Sequence, residues 1–581
     1  MTPIRNLATT AGARCTGLVA LLGGVLVVAS PRLLPAQATQ ATQARPATPA
    51  AHAGSTPAPP QHTTTGEIDA HIRFLSSDLL EGRAPATRGG QLAMEYIASQ
   101  LELAGVKPGA NGSYFQPVPI DVVAADQAHI RPTTSGKATM TLRDPEDVVL
   151  APGSATENSA AHAEIVFVGY GVSAPEYRWD DFKGLDVKGK VLLVLVNDPP
   201  ATAAEPKLFD GNAMTYYGRW TYKYEEAERR GAAGMLIIHT TERAGYPWHT
   251  VVGSFAKSLR MLPRDPTLPP PLGVRGWITD SAATAMLAQA GLDLAKLRDQ
   301  AATRDFHPVQ TGIIFDASFT NHVEHLQSAN VIGVVPGRDP ALARQAVVFT
   351  AHWDHLGIGP PVNGDSIYNG AVDNGSGVAD VLAMARAAAA SPHPKRSLLF
   401  VLVTAEESGL LGSEYFAEHP TVPITDIVAN LNIDGGNVMG RVRDLNVLGE
   451  HKSSLGPALA KYVAPLGLKL SPDAHPEQGH FYRSDHFSFA KAGVPSVSIG
   501  PGTDFVGRPD GWGKAQDEDY TAHRYHQPSD EYRPDWDLSG ATQLADIVLG
   551  FGTSLANAPA LPTWSAGAEF HRQAVNGAAQ P

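Results

Sequence analysis

From about Ser328 onward, apolar runs of strand length alternate with longer segments of helical spacing, and few folds accommodate that alternation. Ala329–Val335, Ala346–Thr350, Leu398–Val403, Ile427–Ile433 and Pro495–Ile499 are dominated by Val, Ile, Leu and Ala, while Gly377–Ala390 and Leu538–Ala556 carry helical periodicity. Strands that are apolar along their whole length need cover on both faces. The pattern therefore predicts an α/β domain, a mostly parallel-centred sheet with helices on both faces. In such sheets ligands gather at the carboxyl ends of the strands. Three of these runs are followed at once by acidic or histidine residues: His352-Trp353-Asp354 after VVFTA, Glu406-Glu407 after LFVLVTA, and Asp434 after VANLNI. Asp373 lies between the first two in GAVDNGSG, and His526 follows in RYHQPSDEY. Charged groups are rarely buried unless paired or on a metal, so their convergence on one sheet edge predicts a metal site.

The donor types narrow the metal. Imidazole and carboxylate without thiolate suit Zn²⁺, with Mn²⁺ and Co²⁺ as weaker fits. Two histidines and three carboxylates can hold two ions if one carboxylate bridges, the arrangement that activates water near neutral pH. The neighbouring Glu406 and Glu407 divide labour naturally, one on metal and one free to move a proton.

The ordered set AHWDH, GAVDNGSG, TAEESGLLGS, NIDG, SDHFSFAKAGVP and YHQPSD resembles the M28 family of zinc exopeptidases over roughly residues 326–560. The resemblance implies two Zn²⁺ per chain. His352 and Asp434 would bind one zinc, Glu407 and His526 the other, and Asp373 would bridge them. Glu406 would take a proton from the attacking water and return it to the leaving amine. Asp354 would orient His352 from behind, and Tyr525 is a candidate oxyanion stabiliser. Asp434 is followed by Gly435-Gly436 where many relatives carry a bulkier residue, which alters the expected pocket. Twenty residues separate His352 from Asp373, a loop long enough to line a substrate site.

The remainder of the chain reads as accessory. Arg5 and Arg14, the apolar run Gly17–Ser30 and a small-residue site ending at Ala38 describe a signal peptide over 1–38, implying export to the periplasm or medium. The run is shorter than the roughly 20 apolar residues of a membrane span, so no stable membrane insertion is expected. The only cysteine, Cys15, falls inside that segment, so the exported chain has no disulfide. Residues 39–65, rich in Ala, Thr and Pro, read as a disordered linker. Residues 66–145 form the N-terminal part of the peptidase domain, with two helices before Gly105. Residues 146–311 turn β-rich, with EIVFVG, VLLVLV and MLII as buried-strand runs. GLDVKGKV approximates a phosphate loop but ends in Val and runs into a strand, which excludes nucleotide binding. VGYG followed by DxxGxxVxGKV and AERRGAAGMLII resembles a protease-associated insert. Residues 312–560 then complete the catalytic domain, and 561–581 form a C-terminal tail.

A formal charge of −13 offers no basic excess for nucleic acid, which is not an expected partner, and the resemblance implies peptide substrates. No GxSxG elbow and no HExxH motif occurs, which disposes of serine-hydrolase and single-zinc metalloprotease readings. His475 and His480 stand five apart and do not share a helix face. His239, His322, His325 and His355 read as structural or surface groups, and Asp485, His486 and Asp530 as either buried structural residues or site neighbours. The function expected is an aminopeptidase. A carboxypeptidase or dipeptidase on the same scaffold is the alternative, distinguished by an arginine cluster instead of an acidic lip. A non-catalytic binding protein would have lost a ligand or the base, and a one-zinc glutaminyl cyclase would not keep His352 and both glutamates.

Overall fold

The computed structural model describes residues 61–255 and 257–572; the signal-peptide segment, most of the expected linker and the last nine residues lie outside the described residues. Helix α1 (Thr65–Leu75) opens on Thr64, whose hydroxyl accepts the Glu67 N–H, and it buries Ile68, Ile72 and Leu75 at helical spacing. Ahead of it, the Thr63 N–H donates to Asp546 at 2.9 Å, so the expected linker is tied down before its predicted end. Helix α2 (Arg88–Leu103), capped by Thr87, buries Ala93, Ile97 and Leu101.

The main sheet is built from β1 (Phe115–Ala125), β2 (Val309–Val335), β3 (Ala346–His352), β4 (Ser397–Val403), β5 (Ile427–Asn432), β6 (Asp444–Leu448) and β7 (Ser496–Pro501). Their spatial order is β1-β2-β4-β3-β5-β7-β6. β4, β3, β5 and β7 are mutually parallel, while β2 and β6 are antiparallel to their neighbours. The parallel centre is buried on both faces, as its uninterrupted apolar runs require. Val347 and Phe349 point to the face covered by α2, α3 (Gly377–Ala389) and α4 (Ser539–Asn557), and Val348 points to the other, beside Phe416 and Phe489. Phe349 stacks on Phe400 at 5.1 Å, and a side chain at Gly552 would stand 2.3 Å from the Phe349 ring, so α4 lies flush against the sheet only because that position is glycine.

A second sheet holds parallel strands Asn158–Phe167, Val191–Leu195, Gly234–His239 and Val274–Thr279, with Val148–Pro152 antiparallel at the edge. Its core draws in Ile130 and Leu142, upstream of residue 146, and Ile313–Phe319, downstream of 311. There is no break at 311/312. β2 runs for 27 residues, pairing first with Asn158–Phe167, then with β1, and last with β4. The segment assigned to the tail is packed as far as it is described: Phe570 joins a core cluster and Glu569 is bonded to Lys452 at 2.8 Å. No helix among the described residues is long and apolar enough to cross a membrane.

Candidate metal centre at the strand ends

Because β3 lies between β4 and β5 in parallel, the residues that follow those three strands emerge side by side. His352 ends β3, Glu406 and Glu407 follow β4, and Asp434 follows β5. His352 Nε2 is 3.2 Å from Asp373 Oδ1, 3.2 Å from Asp434 Oδ1 and 4.0 Å from Glu406 Oε2. His526 Nε2 is 3.2 Å from Asp373 Oδ2 and 3.1 Å from Glu407 Oε2. The five residues marked as ligands thus come together around one carboxylate, Asp373, with an imidazole against each of its oxygens.

The loop carrying Asp373 is held from three sides. The Val372 and Asp373 N–H groups donate to the Asp530 carboxylate at 3.1 and 3.0 Å, and the Ala371 N–H donates to the Asp530 carbonyl at 2.9 Å. Asn374 Nδ2 donates to the Ile433 carbonyl, and its Oδ1 accepts the Gly435 N–H, which ties this loop to that of Asp434. From below comes Arg83, fully buried, whose guanidinium donates to the carbonyls of Trp353, Leu75, Asn369 and Gly370. Five N–H donors in a rigid fork explain why an arginine, with no carboxylate partner, occupies that position.

Two residues stand otherwise than expected. The Asp354 carboxylate is 4.0 Å from His352 Nδ1 and instead accepts the Glu406 N–H at 3.1 Å; the group nearest Nδ1 is the Asp354 backbone carbonyl, at 3.1 Å. Asp354 therefore fixes the backbone of Glu406, and its main chain orients the imidazole. His355, read from sequence as structural or surface, is buried with Nδ1 2.7 Å from Glu407 Oε1. Its position at the end of AHWDH was a signal that the period-free loop obscured. Asp530 was similarly undecided from sequence, its placement beside Asp373 depending on a contact across 157 residues. Tyr525 is 39% exposed and stacks on the His526 ring at 3.9 Å. His475 and His480 do not join the centre: His480 Nδ1 lies 3.0 Å from Asp473, and His475 beside Glu477.

The neighbouring glutamates are driven apart electrostatically. Burial works to raise both, and the nearby Asp373 charge adds to it for Glu407, yet the imidazoles of His355 and His526 hold Glu407 down at about 2. Glu406 has burial, Asp434, Glu407 and Asp485 all opposing its charge and only His352 favouring it, so it is held well above the usual carboxylate range. Asp373, despite burial, is held well below that range by His352 and His526.

The donor set fits metal ligation. His352, Asp373 and Asp434 present ligand atoms within 4.8 Å of one another, as do His355, Asp373 and Glu407, and Asp373 belongs to both groups. Oxygen and nitrogen donors without sulfur match zinc.

Residues 330–551 match the model of peptidase family M28. Among curated proteins, a vacuolar membrane protease of Lachancea thermotolerans is 30% identical over 190 residues, covering 32% of this chain and 18% of that protein. Leupeptin-inactivating enzyme 1 of Streptomyces exfoliatus is 28% identical over 197 residues, 33% of this chain and 41% of its own. The chain thus spans less than half the length of these relatives. Among solved structures, an aminopeptidase from Aneurinibacillus sp. strain AM-1 superposes over 86% of this chain and 95% of its own, at 19% identity and a TM-score of 0.46. Strand ends, ligand order and the match to the peptidase family M28 model fall together in residues 330–551.

Proposed function

We propose that the protein is an exported two-zinc metalloexopeptidase, an aminopeptidase that removes N-terminal residues from peptides. The observation that carries this is Asp373, one buried carboxylate with His352 against one oxygen and His526 against the other, each imidazole backed by its own second carboxylate. His352 and Asp434 would hold one ion, Glu407 and His526 the other, and Asp373 both. Two such ions supply Lewis acidity to the scissile carbonyl and make a water nucleophilic near neutral pH.

The chain's own groups do the rest. Glu406 is the carboxylate left over, with the Asp354–Glu406 N–H bond keeping it at the mouth of the ligand cluster. Surroundings that disfavour its charge make it a strong proton acceptor, suited to deprotonating the attacking water and then protonating the leaving amine. Tyr525, stacked on His526, would donate its hydroxyl to the developing oxyanion. Its hydroxyl stays protonated, because burial and the carboxylates of Asp373 and Glu407 push its pKa up. Residues 130–319 form a second core, which we read as a protease-associated insert.

Hydrolysis of aminoacyl-nitroanilides beside N-blocked peptides tests the reading. Free-amine substrates should be cleaved, N-blocked ones spared, and a chelator should stop the reaction until zinc is restored. Preferential cleavage of N-blocked peptides at their carboxyl end would establish the carboxypeptidase alternative.

A further inference from the structure

Asn158–Phe167, Val191–Leu195 and Gly234–His239 lie side by side and parallel in the second sheet, so the segments that follow them leave it together. A cavity of about 190 Å³ opens there. Tyr170 comes from behind the first strand, Leu195 and Val196 from the end of the second, and Ile238, Thr240 and Arg243 from the end of the third. Arg298, on helix Leu294–Ala301, completes the wall. Crevices at the carboxyl ends of parallel strands are where α/β sheets take up ligands. The volume is below the roughly 300–1,000 Å³ of pockets that hold drug-sized molecules, so the occupant is small.

The walls divide by chemistry. Leu195, Val196 and Ile238 are buried and present an aliphatic face. Thr240, Arg243 and Arg298 are half-buried, and their partial exposure connects the cavity to solvent. Arg243 is fixed in place: its Nη2 donates to the Asp198 carbonyl at 2.5 Å, and its own carbonyl accepts Asn197 Nδ2 at 3.0 Å. Its guanidinium carbon stands 6.0 Å from the centre of the Tyr170 ring, which lines the same cavity. Arg298 Nη2 donates to Asp280, directly after strand Val274–Thr279. Each arginine has further N–H donors to offer. Among the described residues Arg243 has no carboxylate partner, whereas Arg229, Arg230, Arg264 and Arg304 each have one. The Thr240 hydroxyl is buried and likewise has no hydrogen-bond partner among them, and no acidic side chain among them lines the cavity. Buried polar groups are normally satisfied, and a cation beside an aliphatic wall is favourable only with an anion against it. The planar fork of arginine fits a carboxylate.

We propose that this cavity binds a small aliphatic carboxylate, with the carboxylate between Arg243 and Arg298 and the hydrocarbon body on Leu195, Val196 and Ile238. A wall without acids selects against a free ammonium, so amino acids, the products expected of the metal centre, are not the ligand. Every lining residue falls between 170 and 298, and the site stands independently of the peptidase reading.

Calorimetric titration of the zinc-supplemented protein with 4-methylpentanoate, 4-methylpentanamide and leucine tests this. The acid should bind about ten- to a hundredfold more tightly than its amide, the usual worth of hydrogen bonds to a charged group. Leucine adds an ammonium without a partner and should bind at least about tenfold more weakly than the acid. Arg243→Gln should abolish the preference for the acid, Arg298→Gln should reduce it, and Arg243→Lys should keep part of it. Leucine-nitroanilide hydrolysis should be unchanged in all three variants. A carboxylate held at the metal centre instead would inhibit that hydrolysis and survive both glutamine substitutions. Equal affinity for acid and amide, leucine binding as tightly as the acid, or acid binding that survives both substitutions overturns the proposal.

Discussion

Both sheets place charged side chains at or near the carboxyl ends of parallel strands, yet they treat those charges in opposite ways. In the second sheet, Asp198 follows Val191–Leu195 and accepts the Thr215 N–H and hydroxyl at 2.8 and 2.7 Å. Asp181 accepts two backbone N–H groups and the Trp179 indole, and the buried Lys223 donates to the Asn197 carbonyl at 3.1 Å. Asp198, Asp181 and Lys223 thus each have donors or acceptors of their own. Around the strand-end centre, by contrast, one oxygen of Asp354 and both of Asp485 find no hydrogen-bond partner among the described residues. Buried polar groups are normally satisfied, so acids gathered without donors mark a place prepared for something positive. Strand-end charge alone does not identify a centre; the missing counter-charge does.

The largest effect that would break this contrast belongs to Glu406. Glu406→Gln should keep its metals and lose roughly 10²–10⁴-fold in kcat, the range for removed general acid–base catalysis. Glu407→Ala should instead lower zinc content on elemental analysis, where the unsubstituted chain should carry about two ions, as a bridged pair requires. Equal metal loss in both variants would mean that the two glutamates share one role.

In the second sheet the expected effect is on stability. Lys223→Met removes the buried ammonium that donates to the Asn197 carbonyl and whose charge favours ionised Asp181 and Asp198, and should destabilise that sheet by about 1–3 kcal/mol, the cost of leaving a buried acceptor unsatisfied. Zinc content should not change. Thermal unfolding alongside elemental analysis checks both statements, and loss of zinc in this variant would show the two regions to be one functional unit.

A smaller effect is expected at Asp530, which binds no metal in our reading but accepts the Val372 and Asp373 N–H groups. Asp530→Asn should weaken zinc affinity by about 10–100-fold, the usual cost of losing an outer partner of a ligand. Competition with a chelator gives the number, and unchanged affinity would reduce Asp530 to packing.

The smallest is a pH effect on the main sheet. Burial holds His486 down at about 3, so the folded protein keeps it neutral while the unfolded chain protonates near 6.5. Between those values the unfolded state binds more protons, so stability present above pH 6.5 is lost as pH falls toward 3. Between pH 7 and pH 5 the loss should be about 1–2 kcal/mol, and His486→Phe should flatten that part of the denaturation profile. A profile unaltered by the substitution would contradict the assignment.

Much of this protein was legible from residue order. Uninterrupted apolar runs dictated a doubly covered parallel sheet, because only such a sheet removes both faces from water. Acids and histidines directly after β3, β4 and β5 were legible as converging, because neighbouring parallel strands must end together. What the sequence left open depended on contacts between distant segments. His355, Asp530 and Arg83 stand in positions whose meaning lies across 52, 157 and 290 residues, at Glu407, Asp373 and the Asp373 carbonyl. The Asp354 carboxylate turns to the Glu406 N–H although the family resemblance set it behind His352, because a loop's backbone, with no period, decides which donor it meets. The 27-residue β2, which carries the chain from one sheet to the other, likewise showed no seam in its composition. Local pattern determines which faces are buried and which residues leave a strand end together. Only tertiary packing decides which of those residues lose their counter-charges, and that loss distinguishes the candidate centre from the rest of the molecule.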